Sequence, residues 1–171
     1  SMEKVNTVYL SIGSNIGDRL ANLQKAVDLL QEKNHTILES SDIYETDAFG
    51  FESSDRFLNA ALKIQTQNSP IELLADLKRI EMTLGRTQRK SGEPYQSRII
   101  DLDIIFFNSI SVDSTELRVP HPRFHERIFV LQPLKDIIST EEPELSRQVE
   151  SHYIKVKRVQ TIDKTIFSLI H

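Results

Sequence analysis

Arg98-Ile99-Ile100-Asp101-Leu102-Asp103-Ile104-Ile105-Phe106-Phe107 sets two carboxylates two residues apart inside a run that is otherwise apolar and largely β-branched. β-Branched and aromatic residues favour strands, and residues i and i+2 of a strand share a face. Asp101 and Asp103 are therefore expected side by side on one face, while Ile100, Leu102 and Ile104 turn the other way into a core. Like charges this close repel, and solvent or a hard cation relieves them. Mg²⁺, bound through one or two carboxylates together with phosphate oxygens, suits such a pair. Taken alone, an Asp-x-Asp pair is better read as a solvated strand face, so its surroundings decide.

Upstream, Val5 to Ile12 alternates as a strand, and Gly13-Ser14-Asn15-Ile16-Gly17-Asp18 breaks it with turn residues. Leu20, Leu23, Val27 and Leu30 follow at helical spacing. Thr36 to Thr46 reads as a second strand leading into a loop over 47–55. Phe57 to Gln67 reads as a third, with Leu58, Ala60, Leu62 and Ile64 on its buried face. Ser69-Pro70-Ile71-Glu72 is a capping box with proline at the first helical position; Leu73, Leu77, Ile80 and Leu84 form the helical stripe and Gly85 closes it. The polar, basic stretch 86–97 reads as a mobile loop before the aspartate strand. The order βα, ββ, αβ predicts an α+β fold with a ferredoxin-like βαββαβ core, its antiparallel sheet covered by helices on one face. A single domain is expected over 1–171, with a core of about 4–137 and a C-terminal extension over 138–171; Phe129 to Leu134 looks buried.

The 171 residues, 39% hydrophobic, suffice for one domain with a real core. A net charge of −4 supplies no overall field for nucleic acid or acidic membranes, so a polyanionic ligand must be held by local cations. The absence of cysteine excludes a disulfide scaffold, a thiolate zinc site and a cysteine nucleophile, and fits a cytoplasmic protein. No apolar run approaches the roughly 18 residues of a membrane span, and the N-terminus lacks the apolar stretch of a signal peptide. Cations cluster around the aspartates: Arg86, Arg89, Lys90, Arg98, Arg118, His121, Arg123 and Arg127. Each alone reads as solvated surface. Together with an aspartate pair they make the mixture that phosphoryl transfer needs, metal-binding carboxylates plus Arg or His donors.

The chain resembles the 6-hydroxymethyl-7,8-dihydropterin pyrophosphokinase family from about Val5 to Ile137. The resemblance rests on Gly13-Ser14-Asn15, Tyr44-Glu45-Thr46, Phe49-Gly50, Phe57-Leu58-Asn59-Ala60-Ala61, Arg79-Ile80-Glu81 and Gly85-Arg86. It continues through the aspartate strand, Val119-Pro120-His121-Pro122-Arg123-Phe124-His125-Glu126-Arg127, Phe129-Val130-Leu131 and Pro133-Leu134. It implies transfer of diphosphate from MgATP to the pterin alcohol, with Asp101 and Asp103 as ligands of two Mg²⁺ ions. By the same resemblance Phe57 and Phe129 sandwich the pterin ring, and Asn59 bonds its edge together with backbone around Thr46, Ala48 and Phe49. Arg86, Tyr95, Arg98, Ile104, His121 and Arg127 match nucleotide-side positions. Glu81 matches a nucleotide-side or conformationally linked carboxylate, and Arg86 and Arg98 stabilise the transferring charge. The chain departs from the family pattern at Gln96, where glycine is usual, and at Asp47-Ala48, where a proline pair occurs; Tyr95 stands where the aromatic is often tryptophan.

Gly13 to Gly17 lacks the Lys-Ser/Thr of a P-loop, so ATP is expected to be held by metal and side chains. The implied enzyme is a monomer binding ATP and the pterin in one cleft on the polar sheet face, with segments 47–55 and 86–97 closing over them. A non-catalytic ferredoxin-like binding module is the competing reading. An RNA-recognition sheet is disfavoured by the acidic balance and the missing aromatic Lys/Arg-Gly-Phe strand motif.

Overall fold

The computed structural model describes residues 4–47, 56–85 and 99–171. Loop positions Ala48, Phe49, Arg86, Tyr95 and Arg98, and with them most of the two segments expected to close, lie outside the described residues. Among the described residues the fold is mixed α/β, an antiparallel sheet with four α-helices. Strand β1 (Asn6–Ser14) lies between β4 (Phe57–Thr66) and β5 (Asp101–Phe107), and β4 is paired on its other side by β2 (Thr36–Ser40) and β3 (Tyr44–Thr46). A two-residue strand, β8 (Asp163–Lys164), adds to the outer edge of β3, and β6 (Val112–Asp113) and β7 (Arg118–Val119) form a separate ribbon.

One face carries α1 (Arg19–Glu32) and α2 (Pro70–Thr83). Ser69 caps α2 as the capping box requires: its hydroxyl accepts from Glu72 N–H and the Glu72 carboxylate accepts from Ser69 N–H. Gly85 ends the segment at φ +97°, a conformation open to glycine. Leu23, Leu30, Leu73, Leu77 and Ile80 meet Leu10, Ile12, Leu62 and Ile64 in the main core.

Three sequence expectations are corrected. The first strand does not break at Gly13 but runs on through Ser14, with Gly13 paired to Asn59 on one side and Asp101 on the other. The strand expected over Thr36–Thr46 is two strands. Ser41 interrupts it: the Ala61 N–H donates to the Ser41 hydroxyl while the Ser41 N–H donates to the Ala61 carbonyl, a side chain doing one strand residue's bonding.

The third correction concerns the other face, which is not left without helices. There α3 (Ile128–Ile137) and α4 (Pro143–Val156) cover Tyr9, Ala61, Ile105 and Phe106 in a second core. A bulge makes this possible. Tyr9 pairs with Phe106 but Leu10 pairs with Ile104, so Ile105 is an extra residue that turns with Phe106 toward α3 while Ile104 and Phe107 stay in the main core. The hydroxyls of Tyr9 and Tyr44 fasten this layer by donating to Glu142 and Asp136, and burial together with those carboxylates pushes both phenols' pKa values up.

Leu131 is fully buried between α3 and the sheet. Truncation to alanine is expected to cost about 2–5 kcal/mol of unfolding free energy, read from urea denaturation; a cost below about 0.5 kcal/mol would mean that this layer packs loosely.

Candidate active site

The covered face is not covered to its end. Along β1 the residues on that side are Tyr9, then Ser11, then Gly13. Tyr9 lies under the second helical layer, whereas Ser11 and Gly13 floor an open cleft of about 210 Å³. Cross-strand register builds the rest: Gly13 lies opposite Asn59 and Asp101, and Ser11 opposite Asp103. Thr46 and Phe57 are register partners at the end of β3 and β4, and both line the cleft. Arg123, Arg127 and Phe129 line it from the chain that enters α3. Asp101, Asp103, Phe57, Asn59, Thr46, Phe129 and Arg127 are thus brought together in one cleft.

Within the cleft, Asn59 is almost fully buried and its amide donates to Thr46 Oγ1 at 3.3 Å. Gly13 is required here by space. A Cβ built on it would lie 2.7 Å from Asn59 Oδ1. The Arg127 guanidinium stands 5.6 Å from the centroid of the Phe129 ring, and its buried Nε has no hydrogen-bond partner among the described residues, a donor suited to an anion. Asp101 and Asp103 are both partly exposed while Leu102 between them is buried, the alternation of a half-buried strand.

A second groove of about 500 Å³ opens on the far side of the aspartates, lined by Leu74, Leu102 and Ile104 and by Arg118 and His121. Asp103 lines both cavities. The β5 bulge also serves this groove, because the carbonyl of the extra residue Ile105 accepts the His121 N–H at 3.0 Å. Burial and the positive charge of Arg127, reinforced by Arg123 and opposed by Asp101, bring the His121 pKa down to about 4. The neutral ring accepts the Arg123 N–H on Nδ1 at 3.1 Å, which leaves Nε2 as the proton-bearing nitrogen. Glu81 lines neither cavity: it is buried on α2, and its carboxylate accepts the Leu102 N–H at 2.9 Å, between the two aspartates.

Ser11, Gly13 and Asp47 line the first cleft without having been singled out as site residues from sequence, and Arg123, one of the clustered cations, lines it as well. Gly13 had a signal: a glycine inside a strand pattern marks close approach of another group. Among the described residues no group of three or more His, Cys, Asp or Glu is placed to hold a metal. A pair of neighbouring carboxylates fits a hard ion such as Mg²⁺ that keeps part of its water and takes further oxygen ligands from outside the protein. Among the described residues no helix is long and apolar enough to cross a membrane.

An aromatic-walled cleft and a second groove carrying Arg118 and His121 share Asp103, an arrangement that suits an enzyme with two substrates. Residues 9–139 match the family described as 7,8-dihydro-6-hydroxymethylpterin-pyrophosphokinase, and the chain belongs to it. It is 42% identical over 166 residues to the 2-amino-4-hydroxy-6-hydroxymethyldihydropteridine pyrophosphokinase of Bacillus subtilis, covering 95% of this chain and 98% of that one. It is 44% identical over 133 residues to the mitochondrial folate synthesis bifunctional protein of Pisum sativum, covering 78% of this chain and 25% of that longer protein. The solved structure of wild-type Plasmodium falciparum HPPK-DHPS with pteroate superposes with a TM-score of 0.65 at 18% identity, covering 91% of this chain and 43% of that one. At that identity the likeness concerns the fold, and this chain spans less than half of the solved protein.

With its pKa held below that of a free imidazole, His121 is neutral at pH 7 and takes up a proton only near pH 4. Between its unfolded value of about 6.5 and that point the unfolded chain binds the proton and the folded chain does not. His121 therefore lowers stability progressively as the pH falls through this window and has no effect above it. An NMR titration of the His121 ring checks this: a midpoint near 6.5 would contradict the burial and charge argument.

Proposed function

We propose that the chain carries out its family's pyrophosphokinase reaction in folate biosynthesis, moving diphosphate from MgATP to the hydroxymethyl group of 6-hydroxymethyl-7,8-dihydropterin with release of AMP. The observation that carries the reading is the shared position of Asp103 on two cavities, one walled by Phe57 and Phe129 and the other by Arg118 and His121. A flat heterocycle stacks between the rings, gaining on the order of 1 kcal/mol per face beyond the area buried. Asn59 and Thr46, with backbone at Ala48 and Phe49, bond its edge and turn its hydroxymethyl arm toward the aspartates.

MgATP lies on the nucleotide side against Ile104, His121 and Arg127, joined by Tyr95, Arg86 and Arg98 on the strength of the family resemblance. Magnesium, which we take as two ions, would withdraw charge from the transferring group when bound with the nucleotide. Asp101 and Asp103 would hold that ion–nucleotide complex, and Arg127 Nε, without a hydrogen-bond partner among the described residues, takes a phosphate oxygen. Glu81 acts from behind, keeping the Leu102 amide, and so the spacing of the two aspartates, in place. The pterin oxygen attacks the β-phosphorus as AMP departs. A loose transition state asks little of a base, so the chain's main contribution is positioning and charge. The strand order β5-β1-β4-β2 supports classing the core as ferredoxin-like with a C-terminal extension over 138–171. We read the whole as one monomeric, cytoplasmic domain.

Incubation with MgATP and the pterin alcohol is expected to yield AMP dependent on both substrates; binding of either without AMP would favour a non-catalytic module. Asp101→Ala and Asp103→Ala are expected to abolish AMP formation with unchanged circular dichroism, and near-normal turnover in either would remove the metal assignment. Phe57→Ala, Phe129→Ala and Gly13→Ala should each raise the pterin Kd about tenfold while leaving that of ATP in place. Equal loss of both ligands in calorimetry would indicate a folding defect instead.

A further inference from the structure

The Arg56 guanidinium spans three carboxylates from two separate parts of the chain, the end of β3 and the C-terminal strand. Nη1 donates to Glu45 Oε1 of β3 at 2.8 Å, Nη2 to Asp163 Oδ2 of β8 at 2.9 Å, and Nε to Asp47 Oδ1 at 3.2 Å. Arg19 closes the cluster from α1: its Nη1 lies 2.6 Å from Glu45 Oε2 and donates to the Arg56 carbonyl at 2.8 Å. The cluster sits at the rim of the aromatic-walled cleft. Arg56 immediately precedes Phe57, Asp47 immediately follows Thr46, and Thr46 and Phe57 are register partners that both line the cleft.

Singly, such half-exposed pairs contribute little to stability. What the planar guanidinium adds is direction. Its N–H groups leave in fixed directions, and here all three nitrogens are engaged, so the side chain has one orientation. The backbone next to it is fixed as well, because Arg19 holds the Arg56 carbonyl. The contribution of β8 is secured by the residues that follow Asp163. Lys164 Nζ pairs with Asp42 at 2.9 Å, the Thr165 N–H donates to the Ile43 carbonyl at 2.9 Å, and Leu169 is buried in the main core. Asp163 is therefore a fixed anchor even though it stands near the end of the chain.

We propose that Arg56, oriented by Asp163 of the C-terminal strand, is a positioning residue for the heterocycle site, holding the Thr46–Phe57 end of the cleft in register for stacking. The proposal rests on reading this cleft as the pterin site. It makes the C-terminal strand a working part of acceptor recognition, although that strand touches no substrate. Lysine cannot replace Arg56, having one point charge for three separated carboxylates. Because the cluster is partly exposed, salt weakens it.

The test uses the full chain and the variants Arg56→Gln, Arg56→Lys and Asp163→Asn, with Glu150→Gln, which removes the remote Lys135–Glu150 pair, as control. The first three are expected to raise the pterin KM about fivefold, with kcat, the ATP KM and the thermal midpoint unmoved, and the control to change nothing. Added KCl should raise the wild-type pterin KM toward that of Arg56→Gln and leave the variant flat. In the free protein, amide exchange across the Thr46–Phe57 pair should quicken in Arg56→Gln. If wild type makes AMP and the pterin KM of Arg56→Gln is unchanged, the positioning role falls and the assigned reaction stands; equal losses for pterin and ATP, or rescue by lysine, also overturn it. If wild type makes no AMP, the assigned reaction and the pterin role fall together, and unchanged exchange would remove the clamp itself.

Discussion

Gly13 lies between Asn59 on one neighbouring strand and Asp101 on the other, so the antiparallel pairing of β1 with β4 and β5 fixes the distance between the amide and the carboxylates. Neighbouring strands lie just under 5 Å apart, which separates Asn59 from Asp101 by about 10 Å at the backbone. The residue in the middle has no side chain. The missing side chain makes room for the Asn59 amide, whose Oδ1 would lie 2.7 Å from a Cβ at that position, so the amide can lean in over the strand that separates it from the aspartates. A one-residue slip of β5 would turn Asp101 and Asp103 into the main core and Leu102 outward. Two features secure the register: the Glu81 carboxylate on the Leu102 amide and the bulge at Ile105.

The same sheet face serves as a core at one end and as a site at the other. Toward Tyr9, Ala61 and Phe106 it is apolar and capped by α3 and α4; toward Gly13, Asn59 and Asp101 it is polar and open. The helical layer does more than fill space, since the chain entering α3 brings Arg123, Arg127 and Phe129 to the cleft. Pro133 inside α3 has no N–H to give the carbonyl of Phe129, so this helix owes its hold to apolar packing more than to a complete hydrogen-bond ladder.

Local chemistry made much of this legible from sequence. The capping box at Ser69, the glycine at Gly85 and the Asp-x-Asp alternation each depend on neighbours within a few residues, and each is found where the pattern puts it. What sequence did not reveal depends on distant partners. Ser41 breaks a strand because its hydroxyl meets the Ala61 amide, twenty positions away. The covered second face depends on a bulge that redirects Ile105 and on tyrosine hydroxyls meeting Glu142 and Asp136, acids that look like ordinary surface charge in the linear chain. Gly13 reads as a turn residue until Asn59 is set beside it. Family resemblance gathered the site residues; local pattern alone supplied the aspartate pair and a surplus of cations.

Asp103 faces both cavities, so on the proposed assignment it ties the two ligands thermodynamically. A charge neutralised from the groove side changes the field in the cleft, so occupants of the two spaces do not bind independently. By linkage, whatever factor a nucleotide contributes to the affinity of the heterocycle, the heterocycle must return to the nucleotide. A compound that bridges the two spaces and replaces both ligands would therefore draw on the coupling between them as well as on each space's own affinity.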